Sequence, residues 1–271
     1  MSGNNLYTPN PIIHPSPNMH PVANKYLIEA NVLHHAIADR YIAVFGVSQE
    51  AGTAESANSQ INNRIAAFRR SLYQIGIAEE DVFVDLITQT RVYDFKMIDA
   101  TTAKEKVTGI ELKKNIHVSF KQMDMLEEMM LAASREGIFD IVKVDYVLSN
   151  ADEIYREMQT AALTIIKNKK EFYMMLEEKK YAGNPFIVKF EKGVVQPLHS
   201  YKNYTAHETN YIDFRPGSKS KDNLVKISAR RMKTFYFDPL PEEQYDSVIN
   251  AHSVEPTVQL TLKLQVRYDV L

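Results

Sequence analysis

The sequence predicts an α+β fold, antiparallel sheet with packed helices, arranged as two strand–helix–strand halves, a long helix and a closing C-terminal strand. Three observations carry this. Apolar residues recur at three- and four-residue steps from Ala54 to Ile75, the period of a half-buried helix. They alternate with polar ones from Ile110 to Phe120 and from Val258 to Val270, the period of a half-buried antiparallel strand. Of eleven prolines, five lie between Pro9 and Pro21, none between Val22 and Asn184, and six from Pro185 onward. Proline interrupts helices and sheet ladders alike, so the regular elements belong in the proline-free stretch.

Taken in order, residues 1–24 read as a Pro-rich extended arm without periodicity. The α+β domain then occupies 25–271. Tyr26 to Val32 and Arg40 to Val47 are strands, the second apolar on both faces. Thr53 can cap the helix that follows, in which Ala54, Ala57, Ile61, Ile65, Phe68, Leu72 and Ile75 form one stripe with Arg64, Arg69 and Arg70 off it. Gly76 ends it by permitting a left-handed backbone. Val82 to Phe95 is a long strand, Lys104 to Lys106 a polar turn, and Ile110 to Phe120 the alternating strand. A short helix from Asp124 to Arg135 stops at Gly137, and Phe139 to Leu148 is again a strand. Asp152 opens the longest helix, which ends near Tyr181-Ala182-Gly183. Its apolar face is expected to be Ile154, Met158, Ala161, Ala162, Ile165, Phe172 and Leu176. Residues 184–256 read as short strands joined by long loops, and Val258 to Val270 closes the domain. The core expected from these periods includes Ile61, Ile65, Phe68, Leu72, Ile165, Leu260, Leu262 and Leu264.

Composition narrows the chemistry. Thirty-two Lys and Arg against 34 Asp and Glu give a net charge of −2, which argues against a broadly cationic nucleic-acid binder. There is no cysteine, which removes disulfides, thiolate metal sites and cysteine nucleophiles together. Residues 1–24 lack a basic start, an apolar run and a small-residue cleavage site, so no signal peptide is expected in the sequence. No apolar run is long enough for a membrane-spanning helix.

Candidate sites are few. His34-His35 with Asp39 has metal-ligating residue types, but neighbours on a strand face opposite ways and cannot readily share an ion. His199 and His207 flank a tyrosine-rich stretch, and His252 precedes Glu255, in each case without a third partner. Neither a nucleophile elbow nor a glycine-rich phosphate loop is present. Glu79-Glu80-Asp81 reads as a polar turn before a strand. Lys167, Lys169, Lys170, Lys179 and Lys180, with Arg230, Arg231 and Lys233, could form a basic patch, but the helix lysines are interleaved with Glu171, Glu177 and Glu178 as on a solvated face. Met123, Met125, Met129 and Met130 suit core gap-filling. Asn203-Tyr204-Thr205 fits a glycosylation sequon. On this reading no catalytic, cofactor-binding or metal-binding residue is assigned, and no cofactor is expected.

Residues 41–62 (YIAVFGVSQEAGTAESANSQIN) end a strand in a small-residue turn and open a helix with spaced Ala and Asn. Residues 72–93 (LYQIGIAEEDVFVDLITQTRVY) run from a leucine through Gly-Ile and an acidic group to a strand ending in tyrosine. Residues 107–148 add a strand, a helix and a strand, with Gly109 where a strand begins, and 258–269 supply a terminal strand. In this order the segments resemble the SIMPL family. The resemblance implies helices packed on antiparallel sheet and a family without agreed catalytic residues, some of whose exported bacterial members form large ring-like homo-oligomers. The segment 184–256 and the missing leader depart from it. The function expected is therefore a non-catalytic, self-associating scaffold or interaction protein. The alternatives are a monomeric module that grips a peptide or glycan, or an enzyme with a site near 199–214. The location implied is periplasm or cell envelope if a leader has been removed, and cytoplasm otherwise.

Overall fold

A computed structural model describes residues 19–22, 25–98, 103–177, 181–205 and 233–270. In chain order the strands and helices are β1 (Met19–Val22), β2 (Lys25–Ala36), β3 (Arg40–Ala51), α1 (Ala54–Gln74), β4 (Val82–Met97), β5 (Ala103–Phe120), α2 (Met125–Arg135) and β6 (Asp140–Val147). They continue as α3 (Ala151–Glu177), β7 (Tyr181–Val195), β8 (Tyr201–Thr205), β9 (Lys233–Phe237), β10 (Ser247–Ile249) and β11 (Val258–Val270). The chain divides into two compact units, Ile37–Ser149 in the middle of the sequence and Met1–Ala36 with Asn150–Leu271 around it. The mixed, mainly antiparallel architecture is the α+β fold expected.

In the middle unit the sheet order is β4-β5-β3-β6, antiparallel throughout. Because β3 and β4 both oppose β5, they run the same way with one strand between them. The same holds for β5 and β6 about β3. The two strand–helix–strand halves are thus interlocked split units, the ferredoxin-like arrangement. Helix α1 forms where expected. The Thr53 side chain accepts the Ser56 N–H at 3.2 Å, the stripe Ala57, Ile61, Ile65, Phe68 and Leu72 is buried, and Gly76 takes φ +91°. Arg64, off that stripe, donates to the carbonyls of Ser48, Glu136 and Gly137 and so ties α1 to β3 and to the end of α2. The core between sheet and helices joins Phe45, Phe68, Ile116 and Met129, with Met123 and Met125 packed against it and Met130 exposed.

The expected turn at Lys104 to Lys106 is instead strand. β5 begins at Ala103 and pairs β4 along its full length, whereas β3 pairs β5 only from Ile110 to Phe120. Residues 92–97 and 103–109 therefore run on past the sheet as a two-stranded ribbon, whose polar residues look like a turn because both faces are solvated. Gly109 marks the point of departure. A Cβ there would lie 2.8 Å from the Ala51 carbonyl oxygen at the end of β3.

In the surrounding unit the main sheet runs β1-β2-β11-β7, with β10 also beside β2. The last part of the expected arm is β1, paired antiparallel with β2; most of the arm lies outside the described residues. β11 buries Val258, Leu260, Leu262, Leu264, Val266 and Tyr268 as predicted, but Gln259 on its polar face is buried as well, its side-chain oxygen accepting the Leu240 N–H. Helix α3 buries Ile154, Tyr155, Met158, Ala162 and Ile166. Its stripe differs from the expected one, since Ile165 is only half-buried while Phe172 and Leu176 are exposed. The helix is described as far as Glu177, and Tyr181 already belongs to β7.

The 184–256 segment departs most from expectation, because it begins inside a 15-residue strand. β7 accommodates Pro185 because it is an edge strand with an irregular register. Phe186 opposes Arg267 and Ala182 opposes Asp269, leaving Gly183-Asn184-Pro185 looped out against one residue of β11. The rest of the segment does consist of short pieces, including the β8–β9 pair.

Leu262 is 1% exposed on the central strand of this sheet. Truncation there leaves a cavity bounded by fixed strands, so Leu262→Ala should lower unfolding free energy by about 2–5 kcal/mol in urea titration. A loss below about 0.5 kcal/mol would place that face outside the core.

Candidate interaction surface

The residues with the most chemical potential are absorbed into the fold. His34 and His35 are each 4% exposed and face opposite sides of β2, as strand geometry requires. His34 Nε2 lies 3.9 Å from Glu157 Oε2 on α3, and its Nδ1 has no hydrogen-bond partner. His35 Nδ1 is 3.3 Å from Thr257 Oγ1, and its Nε2 is 3.2 Å from Glu242 Oε1, off the axis of a hydrogen bond. A hydroxyl, an imidazole and a carboxylate in series are the parts of an activated nucleophile. Here Thr257 is 1% exposed, so no substrate reaches the hydroxyl. Together with the Asn250 side chain, which donates to the His35 carbonyl, the series fastens residues 242–257 to the sheet.

A second polar group closes the outer edge of β2. β1 covers residues 25–28 and β10 covers 32–34, which leaves 29–31 between them. There the Lys169 ammonium donates to the Glu29 carbonyl, the Asn31 N–H donates to Asp246 Oδ2, and the Asp246 N–H donates to the Asn31 carbonyl. Lys169 and Asp246 also pair with each other. On the adjoining face, burial alone would raise the Glu29 carboxyl. Hydrogen bonds from Lys263, Gln265 and Asn31 and the Lys263 charge outweigh it and hold the group low.

Other candidates scatter. His199 is exposed after β7, His252 sits at φ +62° in a turn, and His207 lies outside the described residues. Glu79-Glu80-Asp81 forms a 3₁₀ turn before β4, in which Asp81 meets Arg40 at 3.4 Å. Of the proposed basic patch, Lys169 is paired and Lys170 lies over the rings of Tyr181 and Tyr268; Lys179, Lys180, Arg230 and Arg231 lie outside the described residues. Asn203 is exposed on β8. Among the described residues no three His, Asp or Glu side chains are grouped to hold a metal ion. An open cleft lined by Arg69, Arg70, Tyr73, Gln74 and Glu79 holds an Arg69–Glu79 pair at 3.0 Å. A second is lined by Asn31, Glu191, Tyr245 and Lys263, whose ammonium pairs with Glu29.

What stays uncommitted is apolar. β4 and β7 are the last strands of their sheets, and among the described residues nothing pairs their outer edges. β4 and its ribbon expose Phe83, Leu86, Tyr93, Phe95, Ile98 and Val107. β7 exposes Phe186, Ile187, Val188, Phe190 and Val194, with Arg267 lying over the Phe186 ring. Residues 30–179, more than half of the 271, match the model of SIMPL, described as a protein of unknown function (DUF541). The chain belongs to the SIMPL family. The match takes in the whole middle unit, β2 from Ala30 and α3, and it stops before β7 and the closing strand. Comparison with curated proteins gives no match. The two strand–helix–strand halves that carried the resemblance are the interlocked units of the family region. Sequence reading found β4 by its length but missed β7. A run of exposed Phe, Ile and Val between Pro185 and Val195 was the available signal.

Burial holds the His34 imidazole below the ordinary value of 6.5; attraction to Glu157 opposes this and His35 reinforces it. The unfolded chain therefore takes up a proton that the folded state resists. The resulting penalty is absent above pH 6.5 and grows as pH falls from there toward the folded value. Thermal melts of wild type should decline more steeply as pH falls below 6.5 than those of His34→Gln. Parallel slopes would show that His34 is not a source of acid lability.

Proposed function

We propose that the protein is a self-associating scaffold or interaction protein with no catalytic centre of its own. The observation that supports this most is that two of the edge strands are long and bare. β4 is 16 residues long and β7 is 15, against a usual strand of about five or six. Long unpaired edges bearing exposed apolar side chains are what soluble proteins shorten, charge or cover. Second copies of the same chain, closed by symmetry, are one way to cover them without runaway growth. The resemblance noted in the sequence favours the same reading, with a setting in the bacterial periplasm or cell envelope if a leader has been removed and in the cytoplasm otherwise. No helix among the described residues is long and apolar enough to cross a membrane.

Light scattering coupled to size exclusion at micromolar concentration should give a mass at least twice that of the chain. A monomer over a wide concentration range would overturn the proposal and leave a monomeric binding module as the better reading.

A further inference from the structure

Building on that reading, we propose that the β4–β5 ribbon pairs edge to edge with the same ribbon of a second copy, antiparallel and centred on Phe95. An isolated two-stranded ribbon is marginal in water, and a third strand or a packed helix is normally needed. Beyond Gly109 this ribbon has neither among the described residues, and Tyr93, Phe95, Ile98 and Val107 are 46–67% exposed along it. Two such ribbons joined through β4 make a four-stranded sheet, β5-β4-β4-β5.

The register follows from self-complementarity. A two-fold axis at Phe95 sets Phe95 opposite its own copy, Asp94 opposite Lys96 twice, Tyr93 opposite Met97 twice and Val92 opposite Ile98 twice. Every pair is then apolar with apolar or acid with base, the combinations that stabilise cross-strand neighbours. The axis also suits the strand's own alternation, because residues opposite one another share a face only when their numbers sum to an even value. Two features of the single chain point the same way. Within the ribbon Lys96 stands directly opposite Lys104, a like-charge pair that Asp94 of the second copy would relieve. The Phe95 N–H is held by the Asp94 carboxylate at 2.8 Å rather than by a ladder carbonyl. In the paired form that N–H meets the carbonyl of the second copy's Phe95, which makes Phe95 a hydrogen-bonded pair with itself.

The test is a charge swap in the full chain, read by sedimentation equilibrium, with circular dichroism confirming that each variant folds. Asp94→Lys sets lysine against Lys96 across the axis, and Lys96→Asp sets aspartate against Asp94. Each should weaken association about tenfold. The double variant D94K/K96D rebuilds both pairs in reverse and should recover wild-type association. Because the chain has no cysteine, Phe95→Cys introduces a single thiol, which a short bismaleimide should link to its copy faster than the thiol of a Val107→Cys control. If wild type associates while neither single variant weakens it, or the double fails to recover it, the Phe95-centred pairing is wrong and self-association stands on another surface. A wild type that remains monomeric overturns both.

Discussion

The ladder between β2 and β11 is the constraint on which the surrounding unit depends. It runs without a break from Ala36 opposite Val258 to Lys25 opposite Asp269. β11 also carries β7 on its other side, β2 carries β1 and β10, and α3 buries its stripe against the face the two strands share. Removing either strand leaves no sheet to dock on. The two strands come from opposite ends of the sequence, with the whole middle unit between them in the chain. Closing this sheet therefore waits until residues 258–269 have been made, and such long-range pairing is intrinsically slow. The middle unit has no such dependence, since all of its strand pairs lie within Arg40–Val147.

The treatment of strand edges differs from one edge of the chain to another. Along β2 each exposed stretch of backbone is met by β1, by β10, or by Lys169 and Asp246 in the gap between them. Such use of a partly buried ion pair is costly to assemble, and its value lies in satisfying backbone groups that would otherwise be orphaned. The same chain leaves the edges of β4 and β7 bare of any described strand while loading them with Phe, Ile and Val. The contrast, more than exposure alone, supports reading those two edges as places where another surface belongs.

Legibility in the sequence followed the strength of local signals. α1 could be read to the residue because the cap at Thr53, the five-residue buried stripe and Gly76 agree. β11 could be read because one face is core and the other polar. α3 was harder. Ala161, Ala162, Ile165 and Ile166 offer two overlapping stripes, and Phe172, Met175 and Leu176 extend the wrong one into solvent. β7 was hidden by Gly183, Asn184 and Pro185, residues that signal a loop. The structure confines them to a bulge at one end of an edge strand, where a missing N–H costs little. Lys104 to Lys106 misled for the opposite reason, being polar on both faces in a strand that has no buried face.

The candidate sites show how far residue type can diverge from role. Histidines, carboxylates and lysines drew attention as possible ligands or catalysts, yet His34, His35, Glu29 and Lys169 are committed to holding β2 and its neighbours. Their chemistry is spent on burial and backbone satisfaction. Of the segment from Val92 to Ile98, the sequence marked Val92 to Phe95 as the end of a long strand and Tyr93 as part of the family pattern. The segment's alternation of acid, aromatic and base becomes informative once β4 is known to be an edge, because only an unpaired edge can present that order to its own copy. In a member of a family of unknown function, the proposed pairing takes its partner information from the order of side chains along a bare strand. That order has no signature a composition or motif search would detect, since its meaning depends on which backbone groups the rest of the fold leaves unpaired.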